Sequence, residues 1–131
     1  MSDSTNWINC TIGEISKLSG GSAFKEKFQG HATGEIPFIK VSDFNLSENQ
    51  KYITTANNWV TSETLKEMGA RLFPSGSVVF PKVGAALLSN RRRILSRPTA
   101  IDNNLMAAIA NGCSSDYLYL ALCQVDFSDF V

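Results

Sequence analysis

The sequence predicts one α+β domain over residues 1–131, a curved and mainly antiparallel sheet with few short helices. Three observations predict it. Short β-branched and aromatic runs recur between turn signals, as in Ile36-Pro37-Phe38-Ile39-Lys40-Val41 and Ser77-Val78-Val79-Phe80-Pro81-Lys82-Val83. Helix start and stop signals occur at only two places, after Thr61 and after Ser114. The length of 131 residues is that of one ordinary domain, and 44% hydrophobic with 18% charged residues excludes a disordered or fibrous chain.

The elements follow in order. Trp7-Ile8 with Ile12 and Ile15 forms an apolar opening that packs on the body, and Leu18-Ser19-Gly20-Gly21-Ser22 reads as a turn. Ile36 to Val41 is a strand whose Pro37 places its start at an edge, and Ser42-Asp43-Phe44-Asn45 breaks it. Residues 51–60 are mixed, with Asn57-Asn58 suited to a turn and Tyr52 and Trp59 assigned to core or rim. Thr61 or Ser62 caps a short helix that carries Glu63 in its first turn and closes at Gly69. The turn Pro74-Ser75-Gly76 leads into the strongest strand, Ser77 to Val83. Ile94-Leu95 and the run Leu105 to Ile109 are apolar, and Asn111-Gly112 is a turn. Ser114 or Ser115 caps a second helix with Leu118, Leu122 and Val125 on one face. Ile8, Ile12, Ile15 and that helical face lie at the two ends of the chain. They are expected to leave some apolar surface open and to favour weak self-association.

Several function classes are excluded or disfavoured. No apolar run approaches the ~20 residues of a membrane span, and the first residues, Met1 to Asn6, lack a secretory signal. Cys10, Cys113 and Cys123 have no CxxC spacing, and His31 is the one histidine, so neither a disulfide framework nor a zinc site is expected. The chain reads as cytoplasmic, with reduced thiols serving as small buried apolar groups. The phosphate-loop patterns GxxxxGK[ST] and GxGxxG are missing, and no cofactor is expected. His31, among Gly30, Ala32, Thr33 and Gly34, has no orienting partner nearby, and Cys113 has no second histidine for a dyad. A small hydrolase using Cys113 or His31 is therefore the weakest reading, and the chain is read as a non-enzyme.

The formal net charge of zero conceals a segregation of charge. Residues 71–97 hold six cations and no acid, whereas residues 98–131 hold four aspartates and no base. Such a stretch makes a local positive field on a neutral protein. Five of the six cations are arginine, the residue suited to two-pronged contacts with phosphate or guanine. Lys82, Ser89, Asn90, Arg91, Arg92, Arg93 and Arg97 gather donors for phosphates and base edges. The segment Ser89 to Arg93, set between Val83–Leu88 and Ile94-Leu95, suits a hairpin-like loop with a wet tip. On these residues alone, a solvated loop using arginine for solubility stays open as the alternative.

Taken together, several segments resemble one family. Trp7 with Thr11-Ile12-Gly13-Glu14-Ile15 is similar to the "W…LGE(I)" opening of the specificity subunits of type I restriction-modification systems. Ser19-Gly20-Gly21 followed by Gly34-Glu35-Ile36-Pro37-Phe38-Ile39-Lys40-Val41-Ser42-Asp43 resembles that family's "SGG…G-x-IP(W/F)I-x-x-x-D". Pro74-Ser75-Gly76-Ser77-Val78-Val79-Phe80-Pro81-Lys82-Val83-Gly84-Ala85 resembles "P-x-GSV(L/V)…GA". Asp102-Asn103-Asn104 falls where the family often has Asn-Gln, and Tyr117-Leu118-Tyr119-Leu120 resembles the helix that ends a target recognition domain.

The resemblance implies sequence-specific binding of double-stranded DNA by a single target recognition domain. The long spacer helices and second recognition domain of a full specificity subunit are missing from residues 1–131. It further implies that methyltransferase (modification) and restriction subunits are the partners and supply the chemistry, each recognition domain reading half of a split site. Two alternatives remain at this point: the recognition part of a fused restriction-methylation enzyme, and a protein-interaction adaptor with a fortuitous arginine loop.

Overall fold

The computed structural model describes residues 15–82 and 91–124. Among these, eight strands form two sheets: β1 (Ser16–Gly20), β2 (Ile36–Ile39), β3 (Tyr52–Ile53), β4 (Trp59–Val60), β5 (Val78–Pro81), β6 (Arg93–Leu95), β7 (Ala100–Ile101) and β8 (Leu105–Ala110). They are accompanied by helices α1 (Ser62–Met68) and α2 (Ser115–Cys123) and by 3-10 turns at Glu26–Phe28 and Val41–Asn45. The larger sheet has the order β1-β8-β5-β6-β3 and the smaller β4-β2-β7. Pairing is antiparallel except between β3 and β6 and between β2 and β7. The expected α+β class is found, but with two sheets in place of one.

Strand periodicity builds the layers. Along β5, Val78 and Phe80 face one cluster and Val79 the other; along β8, Ala108 and Met106 part from Ala107 and Leu105 in the same way. The larger sheet is thus covered on both faces, and so its strands read as continuous apolar runs. One face packs on Leu118 and Leu122 of α2. The other meets Ile39 of β2 and Ile101 of β7, which joins the two sheets through a shared core with Phe44 and Phe73. Phe38, Ala100 and Val60 on the far face of the smaller sheet pack on Leu65 of α1, and Phe24 stacks on Phe38 with ring centres 3.9 Å apart.

Both helices start and stop where the sequence places them. Thr61 Oγ1 accepts from Thr64 N at 3.1 Å, and Gly69 closes α1 in the left-handed region at φ 65°. Ser114 Oγ accepts from Tyr117 N at 3.1 Å. Leu118 and Leu122 are buried as that helical face requires, whereas Val125 lies outside the described residues.

Four expectations are corrected. Leu18 to Gly20 belong to β1, which pairs with β8 from Ser16↔Ala110 to Gly20↔Met106, so the expected turn is a strand end. Gly21 is needed there for close approach: a Cβ on it would lie 2.0 Å from the Asp102 carbonyl oxygen. The strand beginning at Ile36 ends at Ile39, because Val41 already enters the 3-10 turn. Leu118 and Leu122 are sealed against the larger sheet and Ile15 packs with them, so these three leave no open apolar face; Ile8 and Ile12 lie outside the described residues. Of the thiols, Cys113 is half-buried and donates to Ile15 O at 3.4 Å, but Cys123 is exposed; Cys10 lies outside the described residues.

Two stability outcomes follow from this packing. Leu118→Ala empties the contact between α2 and the larger sheet and is expected to cost about 2–5 kcal/mol in urea denaturation. Gly21→Ala forces a methyl group against backbone and is expected to cost about 1–3 kcal/mol in the same measurement.

Candidate nucleic-acid interface

The basic segment is organised by β5 and β6. These strands are antiparallel neighbours with Val78↔Ile94 and Val79↔Arg93 in register, so residues 82–92 connect a hairpin. Among the described residues the stem is Val78–Pro81 with Arg93–Leu95, whereas Val83–Leu88 lie outside them. Ser89 and Asn90 lie outside the described residues; Lys82, Arg91, Arg92, Arg93 and Arg97 lie within them.

The five cations have different surroundings. Arg93 is held by backbone: Nε donates to Asn49 O at 2.5 Å, and the two terminal nitrogens donate to Arg92 O at 2.9 Å and Phe44 O at 3.2 Å. Its guanidinium sits 5.4 Å from the Phe44 ring centre. Burial, and then the charge of Arg91, lower the Arg93 pKa, yet guanidinium stays charged in a protein. Arg92 is buried at 4% exposure. Arg91 is half-buried, donates to Asn45 Oδ1, and lies 5.8 Å from the same Phe44 ring. Arg97 is exposed, donates to Glu35 O at 3.1 Å and covers Trp59 at 5.1 Å. Three adjacent arginines thus do not form a uniform wet tip. Arg93 is drawn to the body because Phe44 of the Val41–Asn45 turn and Asn49 offer carbonyls to it, and Arg92 is buried beside it.

That turn is itself fixed from inside. Asp43 and Asn49 are both 0% exposed. The Asp43 carboxyl accepts from Lys40 N and Asn57 N, each at 2.8 Å. Asn49 Nδ2 donates to Asp43 O at 2.9 Å and Thr55 O at 3.0 Å, while its Oδ1 accepts from Thr54 N at 2.8 Å. From sequence, Asp43 reads as part of a strand break and as the last residue of a family pattern, and Asn49 gives no signal. Their spacing resembles loop composition, and the burial that gives them meaning is tertiary.

Lys82 lies on the other side of the hairpin base. Its N–H donates to Asn104 O at 3.0 Å, and its ammonium lies beside Gly20. Here Asp102 is buried, with Oδ1 accepting from Asn104 N at 2.9 Å. Burial raises the Asp102 pKa, against the pull of that hydrogen bond and of Lys40 and Lys82. Sequence reasoning also missed Lys51, whose ammonium lies 5.5 Å from the Tyr52 ring centre and 5.2 Å from that of Tyr119. Desolvation raises the Tyr119 pKa, reinforced by Cys123 and opposed by Arg93 and Arg92.

The weaker candidates are dispersed. His31 is exposed and lines a cleft of about 180 Å³ with Lys27, Phe28 and Trp59, while Cys113 packs with the α2 cluster. Among the described residues, no group of three or more His, Cys, Asp and Glu side chains is placed to hold a metal. No helix of the described residues is long and apolar enough to cross a membrane.

Two outcomes separate these roles. Arg93→Ala leaves three carbonyls without their donor and is expected to cost about 1–3 kcal/mol of stability; Arg97→Ala, at the surface, should cost under about 1 kcal/mol. Asp102 has a folded pKa above its unfolded value, so its ionisation subtracts stability as pH rises from about 3.9. Asp102→Asn keeps the acceptor and removes that charge. Its stability gain over the original chain should be absent in acid and grow towards neutral pH, as read by thermal melting across pH.

No protein-family model matches the chain. It is 26% identical over 132 residues to the type I restriction enzyme MjaIX specificity subunit of Methanocaldococcus jannaschii, a match covering 96% of this chain and 28% of that protein. In fold it is similar to a chain from a structural study of complex assembly and conformational transition in a type I restriction-modification system, with TM-score 0.67 and 14% identity over 88% of this chain. It is similar also to the HsdS subunit of Thermoanaerobacter tengcongensis, with TM-score 0.64 and 13% identity over 89% of the chain, and to the S subunit of M. genitalium, with TM-score 0.59 and 16% identity over 92%. The chain spans little more than a quarter of each of these relatives. In sequence and in fold, this chain is similar to one domain-sized part of the specificity subunits of type I restriction enzymes.

Proposed function

We propose that this chain is a target recognition domain that binds double-stranded DNA sequence-specifically and reads one half of a split site. The observation that carries the reading is the match to a type I specificity subunit across 96% of the chain. The basic hairpin gives it a physical means. Lys82 and Arg97 flank the connection and suit phosphate, and Arg91 suits a base edge or phosphate. Ser89 and Asn90 belong to the same proposed surface. Arg92 and Arg93 belong to the same proposed surface, and Arg93 also holds the hairpin base to the body through Phe44 O and Asn49 O. Methyl transfer and cleavage belong to partner modification and restriction subunits, which the domain directs to the site.

The test is DNA affinity measured by fluorescence anisotropy against salt. Affinity should fall linearly on a log-log plot, and Lys82→Ala or Arg97→Ala should each weaken all sequences alike and reduce the slope by ~1. Salt-independent or absent binding by the folded chain would overturn the reading in favour of an adaptor. The pure chain with S-adenosylmethionine, ATP and Mg²⁺ should neither methylate nor cut DNA; either activity would sink the non-catalytic assignment.

A further inference from the structure

The larger sheet gathers cations at one end. Pairing is parallel between β3 and β6, with Tyr52↔Ile94 and Ile53↔Leu95 in register. Lys51 precedes β3 as Arg93 opens β6, and Ile94 N donates to Lys51 O at 2.7 Å. Lys51 therefore stands at the end of the sheet where residues 82–92 connect β5 to β6. It lies outside the basic stretch of residues 71–97, so only the fold brings it there. The order β1-β8-β5-β6-β3 puts it on one flank of that hairpin. Lys82 serves the other flank, since its ammonium lies beside Gly20 of β1. From β1 to β3 the sheet spans four spacings of ~4.8 Å, ~19 Å in all. A major groove of ~12 Å with the two backbones that bound it is of that size.

The Lys51 ammonium is held in place without being neutralised. It lies 5.5 Å from the Tyr52 ring centre and 5.2 Å from that of Tyr119 on α2. Ile53 is buried between the two sheets, so Tyr52, its neighbour along the strand, projects on the α2 face. There it stays 42% exposed, and Lys51 is exposed with it. A ring attracts a cation through its quadrupole but carries no net charge. Among the described residues, no carboxylate lies within ion-pair reach of the Lys51 ammonium, and it donates to no acceptor. Other lysines are engaged differently: Lys27 lies 3.9 Å from Glu67, and Lys40 donates to Gln29 Oε1 at 3.1 Å. Lys51 keeps its whole charge and its N–H donors for an anion.

We propose that Lys51 is a DNA phosphate contact on the flank of the hairpin opposite Lys82, and that Tyr52 is a positioning residue that holds its ammonium there. This rests on the DNA-binding reading above and adds two residues that neither the basic stretch nor the family resemblance contains. A phosphate diester suits a compact ammonium, which meets it as a point charge and needs no fork. A lysine side chain loses rotamer freedom when it makes such a contact. The ring contact removes part of that freedom before DNA arrives.

The experiment is fluorescence anisotropy of a mixed-sequence duplex against salt, with the original chain and its variants each checked by thermal melting. Lys51→Ala should weaken binding and reduce the log-log slope by ~1. Lys51→Gln keeps the stem and should do the same, and it carries the reading if Lys51→Ala melts early. Lys51→Arg should keep the slope. Lys51→Ala combined with Lys82→Ala should reduce it by ~2, because the two sites are far apart. Lys66→Ala, on the exposed side of α1, should leave it unchanged. Tyr52→Ala should weaken binding about twofold to fivefold. Tyr52→Phe keeps the ring and should bind as the original chain does, and Tyr52→Ala should add nothing once Lys51 is alanine. A slope unchanged by both Lys51→Ala and Lys51→Gln overturns the contact. An equal drop from Lys66→Ala overturns it too, because net charge alone then accounts for the effect. Full binding by Tyr52→Ala, or a loss that persists beside Lys51→Ala, overturns the positioning role. Salt-independent or absent binding by the folded original chain overturns the DNA-binding reading itself, and this inference with it.

Discussion

The buried pair Asp43 and Asn49 is the constraint on which the surface chemistry depends. Neither side chain reaches solvent, and each is satisfied almost wholly by backbone. A buried polar group left without a partner costs about 1–3 kcal/mol, so this network favours one arrangement of residues 40–57 over its alternatives. That arrangement turns the Phe44 and Asn49 carbonyls towards β6 and receives Arg93. It also brings Lys51 O to Ile94 N at 2.7 Å, beside the parallel pairing of β3 with β6. A segment that is nearly all loop is thus tied to the sheet by hydrogen bonds as well as by the buried side chains of Phe44, Ile53 and Ala56.

The six cations of residues 71–97 divide among separate neighbours once the chain folds. Arg71 donates to Ser19 on β1, Lys82 sits by Gly20, Arg91 and Arg93 share Phe44, and Arg97 covers Trp59. This lowers the self-repulsion that a contiguous row would carry at close range. It also gives the cations different kinds of partner, with three backbone carbonyls at Arg93 and the Asn45 carboxamide among the partners of Arg91. Recognition surfaces use both kinds, because fixed charges set the docking geometry and orientable ones meet the bases.

The residues that carried the family resemblance turn out to be mainly structural. Ile36-Pro37-Phe38-Ile39 is β2, which packs one cluster with Phe38 and another with Ile39. Asp43, the aspartate of that pattern, holds the loop from within. Gly21 admits the Asp102 and Ile101 carbonyls where a side chain could not fit. Gly76 takes φ 91° and lies where a Cβ would meet Ser115 Oγ at 2.6 Å, placing the turn under the start of α2. Each of these positions is fixed by close packing or by buried hydrogen bonds.

Local chemistry alone determined both helices, since Thr61, Gly69 and Ser114 act within one turn of their own position. It also determined β2 and β5, whose β-branched and aromatic runs are long enough to register, while Ile94-Leu95 and Leu105 to Ile109 registered only as apolar and the basic segment between apolar stretches only as a hairpin-like loop. It did not determine β3 and β4, because two-residue strands have no period to read. The parallel pairings were equally out of reach, since they join residues far apart in sequence: Tyr52 with Ile94 and Phe38 with Ala100. Glycine in Ser19-Gly20-Gly21 signalled a turn because φ freedom and lack of a side chain look the same in a sequence. Only the tertiary structure decided which was used, and only it decided that Arg92 and Arg93 turn inward. The placement of Arg93 depends on carbonyls offered by a loop some 45 residues earlier, and no local pattern encodes where those carbonyls point.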